Sequence, residues 1–354
     1  MRPSLDENEI NAVKQVFESK FLTEGQVTKK FEASISQYVK SKFAIATTSA
    51  TTALHSVFQC INIKGKNVLV SDFTFPATID AVILAGGIPV LIDVDKETMN
   101  VTIDIVENIN FKDIEVIEPV SIFGNSLERE FYKLKKTMFI VEDAATSLGT
   151  KLGTNFVGTL ANASCFSFHP RKIITTGEGG MITTNDKILN DKIRSFKAFG
   201  KKGKDFVSIG TNYKISDIQS AVGLTQLKKI EKIIKNRQRM AKIYSELIEK
   251  MEHINIQKVT KNSRHTYQTF TCVITKPKLR DKIILELSKK NIETQIGTYA
   301  LHCLPAFKKH LKRGSLKNSE FLYKNSLSIP LHEEITTTDQ EYICKSIKKI
   351  IKHS

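Results

Sequence analysis

The sequence predicts an α/β fold, with a large, mainly parallel sheet domain followed by a smaller α+β unit. Three observations carry that expectation. Up to about residue 185, short β-rich runs alternate with helical stretches, as a parallel sheet with crossover helices requires. Near Ser216 the texture changes to one long, Lys-rich amphipathic stretch. No internal repeat, low-complexity tract or Pro/Gly-rich linker separates the two parts, so they are expected to pack together.

In chain order, the expected strands are Phe43-Ala-Ile-Ala-Thr47, Asn67-Val-Leu-Val-Ser71, Ile88-Pro-Val-Leu-Ile-Asp93, Ile114-Glu-Val-Ile-Glu118 and Met138-Phe-Ile-Val-Glu142. Each is a compact run of the kind found in buried parallel strands. Helices are expected between them, as at 51–61 and 77–85. Asp217 to Glu249 reads as a single connector helix, with apolar residues at Leu224, Leu227, Ile230, Ile233 and Ile234. Beyond it come a strand over 269–274, a helix near 278–289, a strand near 292–296 and a terminal helix from Thr338. The expected division is 1–225 for the large domain with its N-terminal segment, and 226–354 for the connector and small domain. Binding residues should collect at the carboxyl ends of the parallel strands.

Composition removes several classes of function. With 41% apolar residues the chain is not a disordered polyelectrolyte. No apolar run approaches the ~18 residues of a membrane helix and the start lacks an apolar signal core, so a cytoplasmic protein is expected. Five scattered cysteines without a Cys-x-x-Cys pair suggest neither a disulfide framework nor a metal site. The formal charge of +16 invites a nucleic-acid reading, but only nine of the 53 cationic side chains are Arg, the residue of bidentate base and phosphate contacts. No nucleic-acid-binding motif accompanies the charge, so no such partner is expected.

Three stretches carry chemistry. In Ala163-Ser-Cys-Phe-Ser-Phe-His-Pro-Arg-Lys-Ile-Ile-Thr-Thr-Gly-Glu-Gly-Gly180, Lys172 follows an apolar strand and precedes a Gly-rich turn. Most lysines are simply solvated. Partial burial beside a cation such as Arg171 would instead depress its pKa, as an imine-forming lysine needs. In Phe139-Ile-Val-Glu-Asp-Ala-Ala-Thr146, Asp143 sits just past a buried strand; read alone, it is equally well a helix N-cap. In a pyridoxal phosphate enzyme, a carboxylate there would keep the pyridine nitrogen protonated. In Phe43-Ala-Ile-Ala-Thr-Thr-Ser-Ala-Thr-Thr-Ala-Leu-His55, a strand runs through small hydroxyl residues into a helix, which offers a phosphate free N–H groups or is simply capped by Ser or Thr. Phe75, after the next strand, is placed either to lie on a cofactor ring or to pack in the core.

Together these strings give the chain its resemblance to the DegT/DnrJ/EryC1/StrS family of nucleotide-sugar aminotransferases. The likeness runs from Phe21-Leu-Thr-Glu-Gly25 and Phe31-Glu32, through the Phe-Ser-Phe-His-x-x-Lys-x-x-Thr-x-Gly-Glu-Gly-Gly string, to Ser328-Ile-Pro-Leu-His332. The resemblance implies the type I pyridoxal phosphate fold, with a sheet of the seven-stranded type, and a homodimer with shared sites. It implies pyridoxal 5′-phosphate as cofactor, a nucleotide-linked 3-keto or 4-keto sugar as substrate, L-glutamate as amino donor, and a role in surface polysaccharide or glycoconjugate synthesis.

Residue by residue, the resemblance makes Lys172 the lysine that holds the cofactor covalently and Asp143 the partner of the pyridine nitrogen. Ser167, Ala50 and Thr51 match phosphate contacts, and Phe75 matches the aromatic residue on the ring. Asn212 matches an asparagine that reaches the cofactor of the opposite subunit. Tyr299 and His302 fall where relatives contact substrate. Two departures stand out. Ala50 replaces a usual Gly, which is tolerable only if the backbone avoids positive φ. Thr146 replaces a longer polar side chain beside the ring. His169 is expected to pack or hydrogen-bond rather than transfer protons, and Glu178 to stabilise its turn. The rival readings are a same-fold deoxysugar dehydratase, which carries His at the lysine position, and a non-catalytic sugar sensor.

Overall fold

The computed structural model describes residues 3–353. Seven strands of the large sheet come first: β1 (Phe43–Thr47), β2 (Asn67–Ser71), β3 (Ile88–Ile92), β4 (Ile114–Glu118), β5 (Phe139–Asp143), β6 (Ala163–Ser167) and β7 (Gly180–Thr184). The C-terminal part adds β8 (Ile254–Ile256), β9 (Phe270–Ile274), β10 (Gln295–Ile296), β11 (Leu311–Arg313) and β12 (Ser326–Ile329). The large sheet has the order β1-β7-β6-β5-β4-β2-β3-β11. Strand β7 is antiparallel to both its neighbours, and the pairings from β6 to β11 are all parallel. The eighth strand is an addition to the seven-stranded expectation. Pairing β11 along β3 covers an edge that would otherwise offer unpaired N–H and C=O groups.

The helices are α1 (Glu7–Ser19), α2 (Gln26–Val39), α3 (Ala50–Ile61), α4 (Ala77–Leu84), α5 (Ile103–Glu107), α6 (Lys187–Phe196), α7 (Asp217–Ile248), α8 (Leu279–Ser288), α9 (Lys317–Asn325) and α10 (Thr337–Lys352). Covering both faces of the sheet explains why its strands read as continuous apolar runs. Val68, Val70, Leu91 and Val141 meet Leu54, Val57 and Phe58 of α3 and Ile79 and Val82 of α4. Leu69, Val90, Ile92, Ile117 and Ile140 form the core on the other face. No helix among the described residues is long and apolar enough to cross a membrane.

Helix α7 joins the parts. Its 32 residues start at a capping box, in which Ser216 Oγ accepts from the Gln219 N–H and the Gln219 side chain accepts from the Ser216 N–H. Near its start, Asp217 is buried and caps a different helix, α2, whose N-cap residue Gly25 has no side chain to do so. Asp217 accepts from the N–H groups of Gly25 (2.8 Å), Val27 (3.2 Å) and Thr28 (2.9 Å) and from Thr28 Oγ1 (2.6 Å). A Cβ at Gly25 would come to 2.8 Å from Asp217 Oδ2. That contact gives a physical reason for glycine in the Phe21–Gly25 string.

The far end of α7 contributes Met240, Tyr244 and Ile248 to a separate apolar cluster with β9, α8, β12 and α10. There an antiparallel sheet has the order β8-β9-β12-β10. A second bridge to the large sheet is the pairing of 73–74 with 299–300, which holds Tyr299 opposite Thr74.

Candidate active site

Strands β1, β5 and β6 end on the same side of the sheet, and a cavity of about 990 Å³ opens there toward β10, β12 and α10. Ala50, Thr51, Phe75, Asp143, Thr146, Ser167 and Lys172 all line it, although they come from four separate stretches of chain. Asn212, Tyr299 and His302 do not.

One end of the cavity is built from α3 and β7. Ser49 is extended (φ −164°, ψ 168°) and its hydroxyl accepts from the Thr52 N–H, so α3 begins at Ala50 with ordinary helical backbone. Alanine is therefore admissible where the resemblance suggests glycine. The N–H groups of Ala50 and Thr51 have no protein acceptor among the described residues, which leaves them for an anion at the helix N-terminus. Beneath them, Gly180 starts β7 between Thr47 and Ser167. A Cβ there would run into the Ser49 carbonyl oxygen, so the start of α3 rests on bare backbone.

Asp143 is the last residue of β5 and is 5% exposed. Thr78 Oγ1 donates to its Oδ2 at 2.8 Å and the Ala145 N–H to its Oδ1 at 3.1 Å. Burial pushes this carboxyl up, against these two hydrogen bonds and the positive charge of Lys172. Behind it, Glu118 and Glu142 are fully buried, and burial is the main cause raising each of them. Glu142 is held by Ser121, Tyr132 (2.8 Å) and Ser164 (3.1 Å).

Lys172 lies in the loop from β6 to β7, with its backbone N–H on the His169 carbonyl at 2.9 Å. Its side chain is half-buried in the wall of the cavity. Burial lowers its pKa, the Arg171 charge lowers it further, and Asp143 opposes both. The result favours the neutral, nucleophilic amine. His169 Nδ1 accepts from the Arg171 N–H at 3.2 Å, and burial depresses its pKa. Its observed work is to hold the loop. The Glu178 carbonyl accepts from Gln219 Nε2 at 2.7 Å, which ties the Gly-rich turn to α7.

The remaining candidates are placed as follows. Phe75 is 62% exposed, its ring centroid 6.2 Å from that of Tyr299. The Thr146 hydroxyl donates to the Ser121 carbonyl at 2.8 Å, so what it offers the cavity is an acceptor oxygen. His302 turns away to Asp72, its Nδ1 2.6 Å from Oδ2. Asn212 is exposed and accepts from Lys214 Nζ at 2.6 Å, away from the cavity of its own chain. Thr78 and Gln268, whose Nε2 donates to the Arg171 carbonyl at 2.7 Å, are site residues that the sequence did not single out. No local string marks them, because their partners lie 65 and 97 residues away.

The residues present fit pyridoxal phosphate. They supply an amine for its aldehyde carbon, a buried carboxyl for its ring nitrogen, open N–H groups for its phosphate and an exposed aromatic face for its ring.

Comparison with known proteins agrees. The profile of the DegT/DnrJ/EryC1/StrS aminotransferase family matches residues 3–348. The chain is 32% identical to the UDP-4-amino-4,6-dideoxy-N-acetyl-beta-L-altrosamine transaminase of Campylobacter jejuni over 366 residues, covering 99% of this chain and 96% of that one. It is 29% identical to the GDP-perosamine synthase of Escherichia coli O157:H7, covering 98% and 97%. The structure of Helicobacter pylori PseC, an aminotransferase involved in the biosynthesis of pseudoaminic acid, superposes with a TM-score of 0.92 at 27% identity, covering 100% and 98%. The chain therefore belongs to the DegT/DnrJ/EryC1/StrS aminotransferase family and is a pyridoxal phosphate-dependent aminotransferase.

Proposed function

We propose that this enzyme transfers the amino group of L-glutamate to a nucleotide-linked 3-keto or 4-keto deoxysugar, supplying an amino sugar for surface polysaccharide or glycoconjugate synthesis in the cytoplasm. The observation that carries this reading is the meeting of the Lys172 amine, the Asp143 carboxyl and the open N-terminus of α3 in one cavity. Bound there, pyridoxal phosphate supplies an electron-withdrawing ring and the carbon that carries the amino group between the two substrates.

The chain's own groups do the rest. Lys172 Nζ would hold the cofactor and, once free of it, would take the proton from the donor α-carbon. In the second half-reaction it delivers a proton to the sugar carbon that receives the amine. Asp143, steadied by Thr78, holds the ring nitrogen in its protonated form. The N–H groups of Ala50 and Thr51 and the Ser167 hydroxyl anchor the phosphate, and Phe75 covers the ring. Lysine at position 172, rather than histidine, argues against the dehydratase reading.

A homodimer completes the site in this proposal. Phe199, Phe206, Val207 and Ile209 are 50 to 95% exposed on the arm that leads to Asn212, which suits a surface covered by a second copy. We read residues 1–225 as the large domain and 226–354 as the connector and small domain. Tyr299, beside Phe75, and His302, three residues on, remain candidate substrate contacts.

The purified protein should be yellow, and borohydride should fix the cofactor to Lys172. L-Glutamate alone should bleach it, and a panel of nucleotide-linked 3-keto and 4-keto sugars should restore the colour with amination of one of them, detected by mass spectrometry. A colourless protein unable to take up pyridoxal phosphate, or a Lys172→Ala variant with full turnover, would sink the proposal.

A further inference from the structure

We propose that Arg171 is the carboxylate-binding group of the cavity, and that it seats a carboxylate of the amino donor beside Lys172. The inference rests on the transamination reading above and deepens it, by naming the residue that selects a donor bearing a carboxylate.

Arg171 is the one arginine among the residues lining the cavity, and it is adjacent in sequence to the lysine that must meet the donor. It is held from two sides. Its carbonyl accepts from Gln268 Nε2 at 2.7 Å, and its Nη1 donates to Gln295 Oε1 at 3.2 Å. Those two contacts fix the stem and one corner of the guanidinium, and they leave its other nitrogen atoms without a protein acceptor among the described residues.

Four other arginines show what a guanidinium on this protein does when a carboxylate is close. Arg194 pairs with Glu32, Arg264 with Glu231, Arg280 with Asp281 and Arg313 with Asp113, at 2.6 to 2.9 Å. Arg171 has no such partner among the described residues, although Glu178, Glu293, Glu334 and Asp339 line the same cavity. A planar fork of donors that faces the cavity and pairs with none of the carboxylates in its wall is suited to a carboxylate brought by a ligand. Lys290, also in the wall, is engaged elsewhere, with its Nζ 3.4 Å from Ser346 Oγ and over the Tyr342 ring.

The position has an electrostatic consequence. The Arg171 charge is one of the causes that hold down the proton affinity of Lys172. A carboxylate seated on Arg171 cancels that charge, and so returns basicity to Lys172 at the moment it must take the proton from the donor. The diphosphate of the sugar substrate is the other anion that could use the same donors, and the two half-reactions separate these sources.

The test uses holoenzyme and measures each half-reaction alone. For Arg171→Met, the L-glutamate concentration that half-bleaches the visible band should rise roughly tenfold to hundredfold, the loss expected of a charge-assisted pair. Arg171→Lys should recover part of it. Glutarate, which has the donor's carboxylates and no amine, should perturb the band of the wild type at concentrations that leave the Met variant unchanged. The keto-sugar concentration that half-restores the band should be unaltered, because the sugar does not use the guanidinium, even where the rate changes with the basicity of Lys172. If the Met variant bleaches like wild type and binds glutarate equally well, the inference is overturned. It is also overturned if only the sugar half-reaction weakens, because the anion on Arg171 is then the diphosphate. Failure of the transamination reading looks different, since wild-type holoenzyme would then not bleach with glutamate at all.

Discussion

Asp143 illustrates how a single contact sets a charge state. Burial favours its neutral form, and the Thr78 hydroxyl at 2.8 Å is the largest opposing influence. The sign of the pH effect follows from its raised folded-state pKa. An unfolded Asp ionises near 3.8, so the stability associated with the buried neutral carboxyl is fully present below that value and is lost as the pH rises through the raised one. Asp143→Asn has no such loss. Cofactor-free Asp143→Asn should therefore gain melting temperature relative to wild type as the pH rises above about 4, while cofactor-loaded turnover collapses. A difference in melting temperature that stays flat over that range would show that burial does not govern this carboxyl.

Among the elements, the contact of α3 with β7 and that of α2 with α7 decide the most. Gly180→Ala drives a methyl group into the Ser49 carbonyl, and should cost about 1–3 kcal/mol together with most of the affinity for pyridoxal phosphate. Thermal melts and cofactor titration would measure both, and unchanged cofactor affinity would argue against the α3 terminus as the phosphate seat. Asp217→Ala strips the cap from α2 and leaves a half-buried N–H at Val27 and a buried one at Thr28 without an acceptor. It should destabilise the fold by about 2 kcal/mol or more in urea unfolding.

The same scale shows what the sequence made legible. Strands β1, β2 and β4 lie where their apolar runs predict, and β5 is shifted by one residue, because burial on both faces leaves a strong local signal. Helices α1 and α2 were not anticipated. In α1 only Glu9 and Val16 are buried, too sparse a stripe to register as a helical period. Lys172 and Asp143 could be singled out because each stands at the end of such a strand. The Thr78, Gln268 and Gln295 contacts could not, since each joins residues that meet only when the sheets are in place.

For the whole molecule, the exposed apolar arm and the basic surface have different meanings. The charge of +16 is mostly lysine, and a positive field around a cavity for phosphorylated molecules can assist their capture. Ile209, at 95% exposure, is the sharper signal. Ile209→Asp should shift sedimentation from dimer toward monomer and weaken cofactor retention at the same time, because Asn212 is proposed to complete the partner's site. A variant that stays dimeric and retains cofactor would remove the arm from the interface.

The cavity also has a history in time. Its walls run from Ser49 in the first sixth of the chain to Ile343 near the end, with Lys172 midway. During synthesis, the lysine and the helix that would anchor the phosphate emerge long before β12 and α10 can close the far wall. Secure capture of the cofactor is therefore a late event, and the yellow colour of a freshly made molecule would report that nearly the whole chain has found its place.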